Sequence, residues 1–199
     1  MCHRVVWSFF TLAIVILLRH DISRLRGLVT RRILMIYIAA GVLLAINWLT
    51  YVWAVINNHV VESSLGYFIN PLVSVSLGVI FLRERLRPLQ WLPVGLATLG
   101  VTYLTISQGQ LPWIALVLAF SFGLYGLVKK VAPLNSLHGL TLETAVLFLP
   151  ALAYLFVEEG RGIGLFAHTT PVVSSLLVLS GPITVVPLLF FAGGARRLP

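Results

Sequence analysis

Two carboxylates lie where an apolar chain should not carry them. Glu143 sits in "LHGLTLETAVLFLP", about two turns into a hydrophobic run, with Leu147, Pro150 and Tyr154 following on its helical face. A charge at the centre of a spanning helix costs ~2.5–3.5 kcal/mol, so a glutamate there needs a proton, a basic partner or water. Two chemistries fit: a substrate or proton site inside a bilayer, or a shallow acid paired with Lys129 or Lys130. Glu62 opens a second run, "ESSLGYFINPL". It can serve charge recognition, or simply be solvated and favoured by the positive end of the helix dipole.

Neutral polar residues accompany both acids. Asn47, Tyr51, Ala54 and Asn58 share one helical face, and Asn57 joins them in a polar line leading to Glu62. About ten spanning residues follow Asn47, so it lies deep and calls for a buried partner or a cavity. In the next run, helical spacing puts Ser63, Tyr67, Asn70, Pro71, Ser74 and Gly78 on one side. Leu65, Phe68, Leu72, Val75, Val79 and Leu82 line the other, as lipid requires. Ser74 and Gly78 read as a small-residue helix contact, whereas Tyr67 and Asn70 suit the wall of a wet cavity.

Catalytic and metal chemistry find little support. His59 precedes Glu62 by three residues, but no other His, Cys or Asp lies near enough in sequence to complete a ligand set. No nucleophile elbow, zinc-protease helix motif or phosphate-cradling glycine run is present. No catalytic residue, metal or cofactor is expected. Cys2 is the only cysteine, which excludes an internal disulfide.

The elements that must position these residues follow from composition. Of 199 residues 59% are hydrophobic and 10% charged, far from the balance of a soluble domain. Such a chain needs lipid as solvent. Seven apolar segments, near 3–18, 33–56, 60–82, 88–106, 111–128, 138–157 and 171–193, approach or reach the ~20 residues of a crossing. The first imitates a signal peptide but has no small-residue cleavage site, so it reads as a retained span, short at its start.

Connections between the segments alternate. Arg19, Arg24, Arg26, Arg31 and Arg32, then Arg83, Arg85 and Arg87, then Lys129 and Lys130, then Arg196 and Arg197 mark one side. The intervening loops hold only Arg161. The positive-inside rule makes the basic side cytoplasmic, with the N-terminus outside and the C-terminus inside. The net charge of +8 thus reflects topology, and nucleic acid is not an expected partner.

Prolines 88, 112 and 171 fall at or near span starts, where a missing N–H costs little. Prolines 71, 93, 150, 182 and 187 fall within spans, where neighbouring groups must satisfy the freed carbonyl or the helix kinks. Ala115, Ala119 and Gly123 form one small-residue ridge, and Gly95, Thr98, Thr102 and Thr105 another. Tyr125, one turn before Lys129, extends the polar path. Arg83, Glu84 and Arg85 can pair locally.

The stretch "NWLTYVWAVINNHVVESSLGYFINPLVSVSLGVIFLRERLRPLQW" resembles the third and fourth helices of RarD-type permeases. These form part of the EamA branch of the drug/metabolite transporter superfamily. "LPWIALVLAFSFGLYGLVKKVAP" and "LETAVLFLPALAYL" look like that family's sixth and seventh helices. The resemblance implies an all-α polytopic bundle of ten spans, two five-helix repeats of opposite topology, with substrate sites near mid-membrane. About seven of those spans are represented here. Residues 1–106 match the first repeat without its first helix, and 107–199 the inverted second repeat without its last two. The chain therefore reads as an incomplete fragment ending at Leu198-Pro199.

Carried over by position, Asn47, Tyr51, Asn57, Glu62, Tyr67, Asn70 and Pro71 fall in the matching signature, and Glu143 in the seventh-helix "LET". All eight are substrate-pathway candidates. The implied activity is secondary transport of a small metabolite or drug-like solute across the cytoplasmic (inner) membrane by alternating access. Expected partners are the bilayer, an unidentified small solute and, optionally, a second copy as a homodimer. Two rivals stand beside this. An intramembrane lipid-processing enzyme would cluster His, Asp or Glu at one depth, and a non-transporting regulatory protein would tolerate loss of the polar stripe.

Overall fold

The computed structural model describes residues 1–83, 89, 91–108, 112–164, 166 and 168–197. Among the described residues there are eight helices and no strand. They are α1 (Cys2–Leu18), α2 (Ile22–Leu28), α3 (Arg31–Ile56), α4 (Val60–Leu82), α5 (Trp91–Gln108), α6 (Trp113–Val131), α7 (Ser136–Gly160) and α8 (Pro171–Arg197). Helices are what a long apolar run must form in lipid, because every backbone group is then satisfied within the segment. α3, α4, α6, α7 and α8 are long and apolar enough to cross a membrane, while α1 and α5 are shorter apolar helices. All seven expected segments carry a helix, and α2, inside the first basic loop, was not foreseen. The protein is a helical, multi-pass membrane protein.

Helix ends are set by caps rather than by the end of hydrophobicity. α1 stops with His20 in the left-handed region (φ 53°), its N–H on Leu17 O and the Asp21 N–H on Ile16 O. α3 stops the same way at Asn58 (φ 63°), with His59 N–H on Ala54 O at 2.7 Å, and α7 at Gly162 (φ 73°). These paired bonds are the Schellman closure, and asparagine or glycine at its centre tolerates the backbone sign. Thr30 Oγ accepts from Ile33 N–H at 3.3 Å to start α3, and Asn135 Oδ1 from His138 N–H at 2.8 Å to start α7.

Several expectations are corrected by these boundaries. Arg31, Arg32, Lys129, Lys130, Glu158 and Glu159 belong to helix ends and not to loops. A long side chain can carry its charge outward while its backbone stays in the ladder. Pro93 is the third residue of α5, so it lies in a first turn that has no intrahelical use for its N–H. Of the Gly95/Thr98/Thr102/Thr105 ridge only Thr105 is half-buried: Gly95 has open space beside it, and Thr98 and Thr102 are exposed. Their hydroxyls bond to Val94 O and Thr98 O, which satisfies them without a neighbour. The expected pairing of Arg83 with Glu84 and Arg85 involves residues outside the described ones, as do Arg87, Pro88 and Leu198-Pro199.

The chain divides into two compact units, the first comprising Met1–Val42 with the chain from Lys130 onward, the second Leu43–Lys129. In the first unit, α1 packs on α7 and α8. Gly181 lies so close to the Trp7 backbone that no Cβ fits between them, and Ser8 Oγ donates to Gly181 O at 3.3 Å. Leu12, Leu140 and Val185 bury together. In the second unit α4 meets α6 through glycines. A Cβ at Gly66 would sit 3.0 Å from Leu118 Cβ, and one at Gly123 2.9 Å from Val73 Cγ1. Ile69, Val73 and Leu77 fill the seam with Ala115 and Ala119, so the Ala115/Ala119/Gly123 ridge is the helix contact expected of it.

Candidate functional site

Glu143 is fully buried. Its neighbours in the first unit explain how α7 carries it there. Gly41 of α3 faces it, with ideal Cβ space ending 3.4 Å from the Glu143 carbonyl oxygen. One turn away, Gly139 leaves room for the Tyr37 ring, whose Cε1 would be 2.6 Å from a Cβ at position 139. Glycines at these two levels let α3 and α7 approach closely. The Tyr37 hydroxyl accepts from Leu134 N–H at 3.1 Å and lies 3.4 Å from Leu134 O, tying α3 to the turn before α7. His138 is buried beside this joint with Nε2 3.5 Å from Asp21 Oδ2. Buried Thr141 and Thr144 bond back to Leu137 O and Leu140 O, so they add polarity without open hydrogen-bonding needs.

The second unit holds the other candidates. Asn47 is part-buried, and its amide donates to Leu118 O at 2.9 Å and Ser121 Oγ at 3.1 Å. Of the two readings open for it, a buried partner or a cavity, the partner exists. Tyr51 and Tyr67 meet edge to face, centroids 6.2 Å apart and interplanar angle 72°. Tyr67 is 64% exposed, and Asn70 Oδ1 accepts from Ser74 Oγ at 3.4 Å. Pro71 lies within α4 and is exposed.

The buried residues of α4 are Ser63, Gly66, Ile69, Val73, Leu77 and Gly78. Its packed face is thus rotated from the expected small-polar stripe: Ser63 and Gly78 belong to it, whereas Tyr67 and Ser74 do not. Ser74 is exposed and makes no contact ridge with Gly78. Shape decided this, because branched aliphatic side chains interlock with α6 where glycines let the axes approach.

At the turn between α3 and α4, Asn57 Nδ2 donates to Trp53 O at 2.8 Å, which closes the helix end. Glu62 Oε1 lies 2.8 Å from His59 Nδ1, and the His59 ring stacks on Trp53 at 5.5 Å and 9°. Trp53 in turn meets Trp113 at 5.4 Å. Tyr125 is fully buried, with Lys129 Nζ 5.7 Å from its ring centroid. A lysine in this position gains attraction from the ring in place of water.

The structure therefore joins Tyr51 to Tyr67 and Asn57 to the Glu62 turn. Three participants escaped the sequence reading. Ser121 is a serine in an apolar run, and its bond to an asparagine 74 positions away in sequence gives no pattern to read. Tyr37 carries a signal in hindsight, a tyrosine four residues before Gly41. His138, next to Gly139, announces the matching notch on α7.

The model of the EamA-like transporter family matches residues 2–106. The chain is 45% identical to Protein RarD of Streptomyces exfoliatus over its whole length, covering 64% of that protein. It is 51% identical to an uncharacterized transporter of Pseudomonas aeruginosa over 81% of this chain and 54% of the relative. It is also 43% identical to Protein RarD of Escherichia coli over the whole chain and 67% of that relative. The chain thus spans between half and two thirds of the length of these curated relatives. No solved structure matches. The chain belongs to the EamA-like transporter family, and its resemblance is to the RarD-type permeases within it.

Proposed function

We propose that this chain forms part of a secondary permease that moves a small metabolite or drug-like solute across the cytoplasmic membrane by alternating access. One observation carries the reading: Glu143 is fully buried in a helix long and apolar enough to span. An acid at that depth is retained at a cost that packing alone does not demand. In this reading Glu143 binds the solute's charge or a coupling proton, and Tyr51, Tyr67 and Asn70 line the route with Pro71 shaping it. Asn57 and Glu62 stand at its outer mouth. Asn47 braces the wall through α6. The C-terminus faces the cytoplasm, and two inverted repeats, meeting near residue 106, supply the alternation.

One relative, 29% identical over 78% of this chain, bears the name chloramphenicol-sensitive protein RarD, so chloramphenicol is a reasonable first probe, with amino acids as a second. The test is uptake of labelled chloramphenicol and a labelled amino-acid mixture by proteoliposomes. Uptake above empty vesicles, falling at least about tenfold in Glu143→Gln, is expected. Equal uptake by the two forms would remove Glu143 from the mechanism.

A further inference from the structure

Beside the first turns of α3 lies an open cleft of about 660 Å³, lined by Arg31, Arg32, Met35, Ile36 and Ala39. All five residues belong to α3, and the surface they present is almost wholly apolar, with Met35 60% exposed. Arg31 and Arg32, both exposed, stand at the end where the helix starts. Depth follows from length: α3 has 26 residues, about 39 Å at the helical rise, against a hydrocarbon core of about 30 Å. The two arginines, first in the helix, therefore lie at headgroup level while Met35 and Ala39 lie at acyl level.

Charge at this end is uncompensated. α3 has no acidic residue in its first turn, and cations there oppose the helix dipole. Asp21, the acid of the preceding segment, is directed to His138 at 3.5 Å. Among the described residues no carboxylate pairs with Arg31 or Arg32. Guanidinium forks match phosphate oxygens, two bonds at a time.

We propose that this cleft is a binding site for an anionic phospholipid of the leaflet facing the basic loops. Arg31 and Arg32 hold its phosphate, and an acyl chain lies along Met35, Ile36 and Ala39. A free anion would use only the arginines. A lipid uses both ends, and the ordering of the two ends matches the layers of a bilayer. The site goes beyond transport and involves neither Glu143 nor the polar face of α4. A failed uptake assay therefore leaves it intact, and the reverse also holds.

The test is native mass spectrometry of the full chain in detergent, with equal phosphatidylglycerol and phosphatidylcholine of identical acyl chains. Phosphatidylglycerol should be retained preferentially, and less so as salt rises. Arg31→Gln with Arg32→Gln should weaken its retention about 30-fold, roughly 5-fold for each arginine, and Met35→Ser should weaken it further. Arg31→Lys with Arg32→Lys keeps the charge but loses the forks, so it should retain phosphatidylglycerol less than the native chain and more than the glutamine variant, still with preference over phosphatidylcholine. Should the glutamine variant not fold, the lysine variant and the salt series still decide. Equal retention of both lipids, indifference to salt, or displacement of phosphatidylglycerol by equimolar inorganic phosphate would overturn the proposal. A dimer of the chain that excludes phosphatidylglycerol would do the same and give the cleft to a second copy.

Discussion

Asn47 and Glu143 are both costly polar side chains in apolar helices, yet their surroundings separate them. Asn47 spends its amide hydrogens on Leu118 O and Ser121 Oγ, so much of its value is in joining α3 to α6. Asn47→Ala leaves the Leu118 carbonyl and Ser121 hydroxyl without that donor, and the loss should be about 1–3 kcal/mol. Thermal unfolding in detergent should show a lowered midpoint, with Asn47→Asp no better, since a carboxylate cannot donate. An unchanged midpoint would return Asn47 to the cavity reading. Glu143 is fully buried, with Gly41 of α3 against its backbone. The transport role proposed for it rests on that burial within a helix long and apolar enough to span.

At the scale of elements, α4 is the helix whose two sides disagree. One side interlocks with α6 through Gly66, Ile69, Val73 and Leu77, and the other presents Tyr67, Asn70 and Ser74. Pro71 belongs to this second, exposed side. It lacks the N–H that would return to the carbonyl of residue 67 and carries a cost of about 3 kcal/mol in a helix interior. Pro71→Ala should therefore raise the unfolding midpoint while lowering uptake, because the helix gains a bond and loses the local freedom that the unpaired carbonyl gives it. A raised midpoint with full uptake would make Pro71 incidental. Cysteines placed at Asn70 and Ser74 in a Cys2→Ser background should react with a water-soluble maleimide, and one at Phe68 should not. Reaction at Phe68 alone would mean the polar face looks at lipid.

Across the whole molecule, the distribution of basic residues predicts a direction. Arg31 and Arg32 begin α3, and Asn57 follows its other end, so a single helix separates the two sides of the membrane. With Cys2→Ser, a cysteine at Asn57 should react with an impermeant reagent in intact cells. A cysteine at Arg32 should react only after permeabilisation. The reverse pattern would invert the topology and move the proposed lipid to the outer leaflet.

Much of this was open to a reader of residue types alone. Lipid as solvent follows from 59% hydrophobic residues, and in lipid a long apolar run has hardly any alternative to a helix. So class and segments came from the chain itself, whereas the full burial of Glu143, which the residues left open against a shallow pairing with Lys129 or Lys130, came from the fold. Rotation about each helix axis did not. Whether α4 buries the stripe of Ser74 or that of Val73 depends on where Gly66 and Gly123 let two axes approach, a matter of shape between distant residues. The fate of charges was similarly hidden: Lys129 looked like a loop residue until α6 continued past it and Tyr125 offered its ring. Hydrophobicity is a sum over one chain and can be read along it. Which side of a helix meets another is a fit between two surfaces, and only the folded molecule contains both.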